Sequence, residues 1–289
     1  MAKNENPKQL SIIVTHYNTP ELLNLCLDSI EKNVQNISKE VIIVDSESRE
    51  KVKELIRERH SSVKFIPFKK NVGYSKIVNA GLKKSKGDYV LVLNADIIVL
   101  DKTVSKMLEY MRDYPNVGIL GPQLLDFTNN IQISCFSEPS LKAILARRTF
   151  LGKLKWGKKV IKRFIISGWD RKSTREVDWV QGSAMMIRRK ALKEVGLLDE
   201  RFFMYFEDAD WCRRFWQRGY KVVYLPGAKM SHYYHRSSKK WGAVLDIFLN
   251  KYARIHIISA LKYFWKHRNK SVKRKTQNVK QKGKNDFGI

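Results

Sequence analysis

Three cysteines are spread along 289 residues, at Cys26, Cys135 and Cys212, with no CxxC pair among them. That excludes a disulfide framework and a cysteine-rich zinc site, and it suggests a reducing setting. No uncharged apolar run approaches the roughly 18–20 residues of a membrane-spanning helix, and the first ten residues lack the apolar stretch of a secretory leader. Neither G-x-G-x-x-G nor G-x-x-x-x-G-K-[ST] occurs, so no dinucleotide fingerprint and no P-loop is supported. Acids are also scarce: 28 Asp plus Glu face 56 Lys plus Arg, a formal charge of +28.

A charge of this size first suggests nucleic acid, but its position decides. Residues 139–175 hold twelve Lys or Arg and one acid, Asp170, for +11, and residues 262–289 hold ten and one acid, Asp286, for +9. The other 224 residues carry only +8. The excess therefore belongs to one internal excursion and one tail. With 43% hydrophobic and 11% aromatic residues, the rest is rich enough to bury a large core.

Val- and Ile-rich runs alternate with helix-like segments through the first half. "SIIVTHYN" (11–18) is followed by Thr19 and Pro20, an N-cap and a preset first turn for a helix over 20–33. "EVIIVDSES" (40–48) precedes a helix near 49–59, "SVKFIPF" (62–68) is a third strand, 73–84 a third helix, and "GDYVLVLNAD" (87–96) a fourth strand. Near-continuous apolar strands alternating with helices mean an α/β fold, a mainly parallel open sheet covered on both faces. The excursion 139–175 has no strand pattern and reads as helical or irregular surface. Apolar Trp241, Leu245, Phe248, Tyr252 and Ile255 recur every three or four residues, an amphipathic helix. Beyond Lys266 the chain is polar and basic, and disorder is expected.

Ligands of open sheets sit beyond the carboxyl ends of the strands. The polar residues there are His16, Tyr17 and Asn18, then Asp45, Ser46 and Glu47, then Asn94 and Asp96. Asp96 suits a divalent cation, since Mg²⁺ or Mn²⁺ takes one or two carboxylates and leaves its other positions to phosphates and water; the plainer reading is a turn cap. Glu207, Asp208 and Asp210 crowd three acids behind a mostly aromatic run, a setting that raises a carboxylate pKa and makes a general base; the plainer reading is an acidic helix start. His232, just past the strand "KVVYLP", is either a metal ligand or an ordinary structural histidine, with His235 a weaker rival. Asp45 is placed to face the ring or ribose of a nucleotide.

With those residues in view, the chain resembles a family 2 glycosyltransferase of the GT-A fold, in its bacterial rhamnosyltransferase-like branch. "IVTHYN", "VIIVDSES", "NVGYSKIVNAGL", "LNAD", "WVQGSAMMIRR" and the block from Gly196 to His232 stand in the family's order, from about Ser11 to His235. The resemblance implies a GT-A domain over 10–238 after a short leader, and the periodicity and composition beyond it add a helical extension over 239–265 and a basic tail over 266–289. It implies a nucleotide-sugar donor held by Thr15, Tyr17, Asn18, Asp45, Asn71, Gly73, Asn79 and Asn94, and a divalent cation (Mn²⁺ or Mg²⁺) held by Asp96 and His232. Asp208 would be the catalytic base with Glu207 beside it, and Trp179, Gln181, Gly182, Asp210 and Trp211 would lie on the acceptor side. One departure stands out: the first of the usual two metal-motif carboxylates is Asn94 here.

The implied activity is inverting transfer of a sugar, first choice rhamnose from dTDP-rhamnose, to a glycan or polyprenyl-diphosphate-linked acceptor. The implied place is cytoplasmic, peripheral on the inner face of the cell membrane. Two rivals are weighed beside it. A nucleic-acid-binding protein would use the basic segments, but these lie outside the motif block and no nucleic-acid module signature appears. A sugar nucleotidyltransferase shares the sheet and metal logic but releases pyrophosphate. The helix from Trp241 and the basic residues after it either attach to an anionic membrane or pack on the domain and trail into solvent.

Overall fold

A computed structural model describes residues 9–233 and 250–268. The leader, His235, the stretch 241–249 of the expected helix and the tail from 269 lie outside these residues.

The first half follows the alternation of the sequence: β1 (Leu10–His16), α1 (Pro20–Asn33), β2 (Lys39–Asp45), α2 (Glu50–Arg59), β3 (Lys64–Pro67), α3 (Tyr74–Lys84) and β4 (Tyr89–Asn94). Thr19 and Pro20 open α1 as expected, but the Thr19 side chain does not cap the helix. Beyond β4 come β5 (Ile97–Val99), α4 (Thr103–Asp113), β6 (Val117–Leu125) and β7 (Cys135–Phe136). The basic excursion forms α5 (Leu141–Arg148), a short 3₁₀ turn and α6 (Lys155–Phe164). The chain then returns through β8 (Arg175–Glu176), β9 (Trp179–Val180), β10 (Ala184–Arg188), α7 (Arg189–Val195), α8 (Glu207–Gln217) and β11 (Lys221–His232). The last described helix, α9, spans Lys251–His267.

The main sheet runs β3-β2-β1-β4-β10-β6-β11-β5, with β8 paired to β11. The β3-β2-β1-β4 half is parallel, as is β6 with β11. β10 is antiparallel to both β4 and β6, and β5 to β11, so the sheet is mixed in its second half. Apolar side chains pack on both faces. On one, Leu23, Leu27 and Ile30 of α1 join Val52, Ile56 and Met107; on the other, Ile77 and Leu82 of α3 join Leu192, Trp211 and Phe215. Each such buried side chain contributes about 1.5–3 kcal/mol.

α9 packs against the segment before α8: Ala260 and Tyr263 cluster with Phe202, Phe206 and Ala209. Among the described residues, no helix is long and apolar enough to cross a membrane.

Candidate active site

β1, β2 and β4 end side by side, with His16 opposite Asp45 and Thr15 opposite Asn94 in register. At this edge His16 and Asp45 form a buried pair, Nδ1 to Oδ1 at 2.7 Å. The backbone N–H of Thr19 donates to His16 Nε2 at 2.9 Å, so the ring proton sits on Nδ1 and is donated to Asp45. Asp45 Oδ2 is buried and accepts no hydrogen bond within the described residues, so it keeps an acceptor unspent at this edge. Tyr17 is exposed beside it, and Asn18 holds a left-handed turn at φ 56°, a conformation asparagine tolerates. Thr15 Oγ1 donates to Asn94 Oδ1 at 3.1 Å.

Asp96 sits between β4 and β5. Because β5 pairs with β11, Ile97 stands opposite His232, and the Tyr233 N–H donates to the Asp96 carbonyl at 2.9 Å. The pairing brings His232 Nε2 to 3.6 Å from Asp96 Oδ1, an oxygen that is buried and accepts no hydrogen bond among the described residues. On the other side of the ring, Nδ1 meets Gln132 Oε1 at 2.8 Å. An amide oxygen only accepts, so Nδ1 carries the hydrogen and Nε2 turns its lone pair toward Asp96. The donor set, one carboxylate and one imidazole with its tautomer fixed from behind, fits a divalent cation. Sequence reasoning missed Gln132; only the backbone places it, its own amide donating to the His232 carbonyl at 2.9 Å. A second group of ligand type, Asp28, Glu31 and His60, lies on α1 and the end of α2, away from these strand ends.

The acid cluster opens α8 behind a strained turn. Tyr205 and Phe206 both have left-handed backbones, at φ 70° and 67°, an arrangement that costs about 1–3 kcal/mol each. Phe206 packs on Tyr263 and Phe264 of α9, which holds the turn. Glu207 and Asp208 emerge buried. Asp208 Oδ2 accepts the Gly182 N–H at 2.9 Å and Oδ1 the Ala209 N–H at 2.8 Å. Burial raises the Asp208 pKa, and the two backbone hydrogen bonds oppose the rise without cancelling it. Burial and the adjacent Asp208 push Glu207 well above the usual carboxylate range.

The acids and the strand ends converge. The Asn94 N–H donates to the Ser183 carbonyl at 2.9 Å, one residue from the Gly182 that holds Asp208. Tyr74, whose hydroxyl donates to the Gly182 carbonyl at 2.6 Å, has its pKa raised well above normal by burial and then by the charges of Glu207, Asp208 and Asp96. One phenol thus feels all three carboxylates. Tyr74 was another residue that motif reading passed over.

Asn71 and Gly73 shape the neighbouring turn: the Gly73 N–H donates to Asn71 Oδ1 at 3.0 Å. Gly73 has φ 87°, and a Cβ there would stand 2.5 Å from the Phe203 carbonyl oxygen. Two expected site residues are placed elsewhere. Asn79 is buried, its amide engaged with both backbone groups of Leu198 and with Glu200, so it ties α3 to the loop before α8 and offers nothing to a donor. Trp211 is fully buried with its indole donating to the Gly196 carbonyl, a core residue closed to an acceptor. Asp210 is also fully buried, bonded to Arg214, Lys266 and His267. Burial alone would raise its pKa, but His267, Arg214 and Lys266 together hold it below normal. Trp179 is half-buried and packs against Phe136 and Phe164, and Gln181 is half-buried next to Gly182.

Lys266 also bonds Asp199, Lys262 donates to the Arg201 carbonyl, and Ser259 to the Met204 carbonyl. α9 therefore grips the loop that leads into Glu207 and Asp208, a role the helical periodicity alone did not reveal.

Several known proteins are similar to this chain in sequence or fold. An N-acetylglucosaminyl-diphospho-decaprenol L-rhamnosyltransferase of Mycobacterium tuberculosis is 29% identical over 209 residues, covering 67% of this chain and 66% of that protein. The rhamnosyltransferase WbbL of Escherichia coli is 33% identical over 92 residues, 32% of each chain. The chain thus spans just under two thirds of the mycobacterial relative's length. In fold it is similar to GalNAc-T7, solved with UDP, GalNAc and Mn²⁺, at a TM-score of 0.60 and 17% identity over 82% of this chain and 46% of that one. It is also similar to the mannosyltransferase PcManGT of Pyrobaculum calidifontis, solved with GDP-Man and Mn²⁺, at 0.53 and 17% over 89% and 70%. Residues 11–196 match glycosyl transferase family 2, and the chain belongs to that family.

Proposed function

We propose that this glycosyltransferase moves a sugar from a nucleoside-diphosphate sugar to a hydroxyl of a lipid-diphosphate-linked glycan acceptor, with inversion at the anomeric carbon, and that rhamnose is the first sugar to test. The observation that carries this reading is the meeting of Asp208 and Tyr74 on Gly182, beside the Ser183 carbonyl that takes the Asn94 N–H, at the carboxyl ends of the strands. The choice of rhamnose and of a lipid-diphosphate acceptor is supported by the printed activity of the mycobacterial relative.

Asp208 takes the proton from the acceptor hydroxyl as its oxygen attacks from the face opposite the diphosphate. The N–H groups of Gly182 and Ala209 fix the direction of its carboxylate, and burial raises its basicity toward the working pH. Glu207 beside it, with its pKa raised further, stays protonated more readily and keeps a second negative charge away from the base. Asp45 Oδ2 accepts a ring N–H of the donor base. Asp96 and His232 are the residues that would hold a divalent cation, which when bound neutralises the departing diphosphate.

A screen of nucleotide sugars in the presence of Mn²⁺ tests the proposal. Release of nucleoside diphosphate from one donor, dTDP-rhamnose first, is expected. No release from any donor would overturn it, and pyrophosphate released from a nucleoside triphosphate would make the protein a nucleotidyltransferase.

A further inference from the structure

The inner face of α9, with Ala253, Ser259, Ala260, Tyr263 and His267, is buried against the domain. The outer face carries Arg254, Ile258, Leu261, Trp265 and Arg268, all exposed and spaced four, three, four and three residues apart. That spacing keeps all five on one narrow stripe. Its three apolar members are 51%, 61% and 63% exposed, and an arginine closes it at each end. The Arg268 guanidinium lies over the Trp265 ring, 5.3 Å from its centroid.

The stripe has a neighbour. Ile144 of α5 joins the cluster of Phe202, Ala260 and Tyr263, and burial followed by the charges of Arg148 and Arg147 depresses His256 of α9 to about 3. α5 therefore lies beside α9. It also has an exposed apolar edge: Leu141 and Leu145, one turn apart, are 55% and 52% exposed, and Phe150 just beyond is 72% exposed. These side chains stand in the segment 139–175, whose charge is +11.

Single exposed apolar residues need no explanation, but aligned ones set among cations do. A protein partner fits poorly, because interface cores are depleted of charge. Single-stranded nucleic acid fits poorly too, because Ile and Leu offer no flat ring on which bases stack. A bilayer with anionic headgroups offers what each part of the surface requires: hydrocarbon for Ile258 and Leu261, the interface for Trp265, and phosphates for the arginines and lysines. We propose that the outer face of α9, with the exposed edge of α5 and Phe150, docks on an anionic phospholipid bilayer. The stripe begins at Arg254 inside the helix expected from Trp241, ends at Arg268 in the expected basic tail, and is joined by the edge of α5, which lies in neither. Its usefulness to catalysis rests on the lipid-linked acceptor proposed above. The same helix grips Asp210, two residues past Asp208, so docking and the placing of the base share one element.

Flotation of the full chain with vesicles tests this. Vesicles of phosphatidylcholine with an equal share of phosphatidylglycerol should bind it, and phosphatidylcholine alone should bind it far less. The double variant Leu261→Ser/Trp265→Ser should lose at least about tenfold in partitioning. Arg254→Gln/Arg268→Gln should lose roughly fivefold per arginine on anionic vesicles only. Thermal midpoint and hydrolysis of the free nucleotide sugar should be unchanged in each. Should the apolar pair unfold the chain, Leu141→Ser/Leu145→Ser on α5 serves in its place. Undiminished binding by these variants, equal binding to neutral vesicles, no binding by the wild type, or a dimer that Leu261→Ser dissolves would each overturn the proposal. Donor hydrolysis is read separately: its absence in a wild type that still floats overturns the enzymatic reading and leaves the docking surface standing.

Discussion

Asp208 and His232 are each set by a neighbour that the sequence does not advertise. Asp208 is aimed by the N–H of Gly182, twenty-six residues earlier in the chain, and His232 by Gln132, one hundred residues earlier. Replacing Gln132 by Leu removes the acceptor that fixes the His232 tautomer, and Mn²⁺ affinity, read by titration of the apoprotein, is expected to fall about 10–100-fold. The raised pKa of Asp208 gives the pH dependence its sign. The base form is lost as pH falls through a value above the ordinary 3.8, so the acidic limb of kcat/KM should lie above the range of a free aspartate. A limb at or below 3.8 would contradict the burial argument. Motif reading named Asp45, Asp96 and His232 because they stand at strand ends, and Asp208 because three acids follow an aromatic run. It also named Asn79 and Trp211, which the fold spends on its own loop and core, since sequence does not distinguish an amide that meets a ligand from one that meets a backbone.

At the scale of elements, periodicity made the first half legible: α1 begins at Pro20, β1 and β2 each begin one residue before the expected apolar run, and β4 falls within its run. The reversed direction of β10 was not legible, because an apolar run such as "AMMIR" carries the same signal either way along a sheet. Of the helix expected over Trp241 to Ile255, residues 241–249 lie outside the described residues; α9 runs from Lys251 past Ile255 to His267, and its grip on the domain uses Lys266 and His267, residues that read as the start of a solvated tail. That grip is measurable. Lys266→Ala removes charged hydrogen bonds to Asp199 and Asp210 and is expected to cost about 1.5–3 kcal/mol in chemical denaturation. Asp210 has a lowered pKa, so its share of stability is present above the unfolded value and lost as pH falls through the lower folded one. Asp210→Asn should therefore lower the melting midpoint at neutral pH more than in acid. At Gly73, an alanine would press on the Phe203 backbone as well as strain φ, so Gly73→Ala is expected to weaken donor binding and stability together.

For the whole molecule, charge was the first clue and needed division before it meant anything. The part of the chain that carries the site has only a modest excess, while the segments 139–175 and 262–289 hold +20 of the net +28. The direct test of the site is Asp208→Asn, assayed for sugar transfer and for donor binding in parallel. Turnover should fall by about 10²–10⁴ while donor affinity stays within a few-fold, because the amide keeps the shape of the group but cannot take the proton. Turnover at the wild-type rate would remove Asp208 from the reaction.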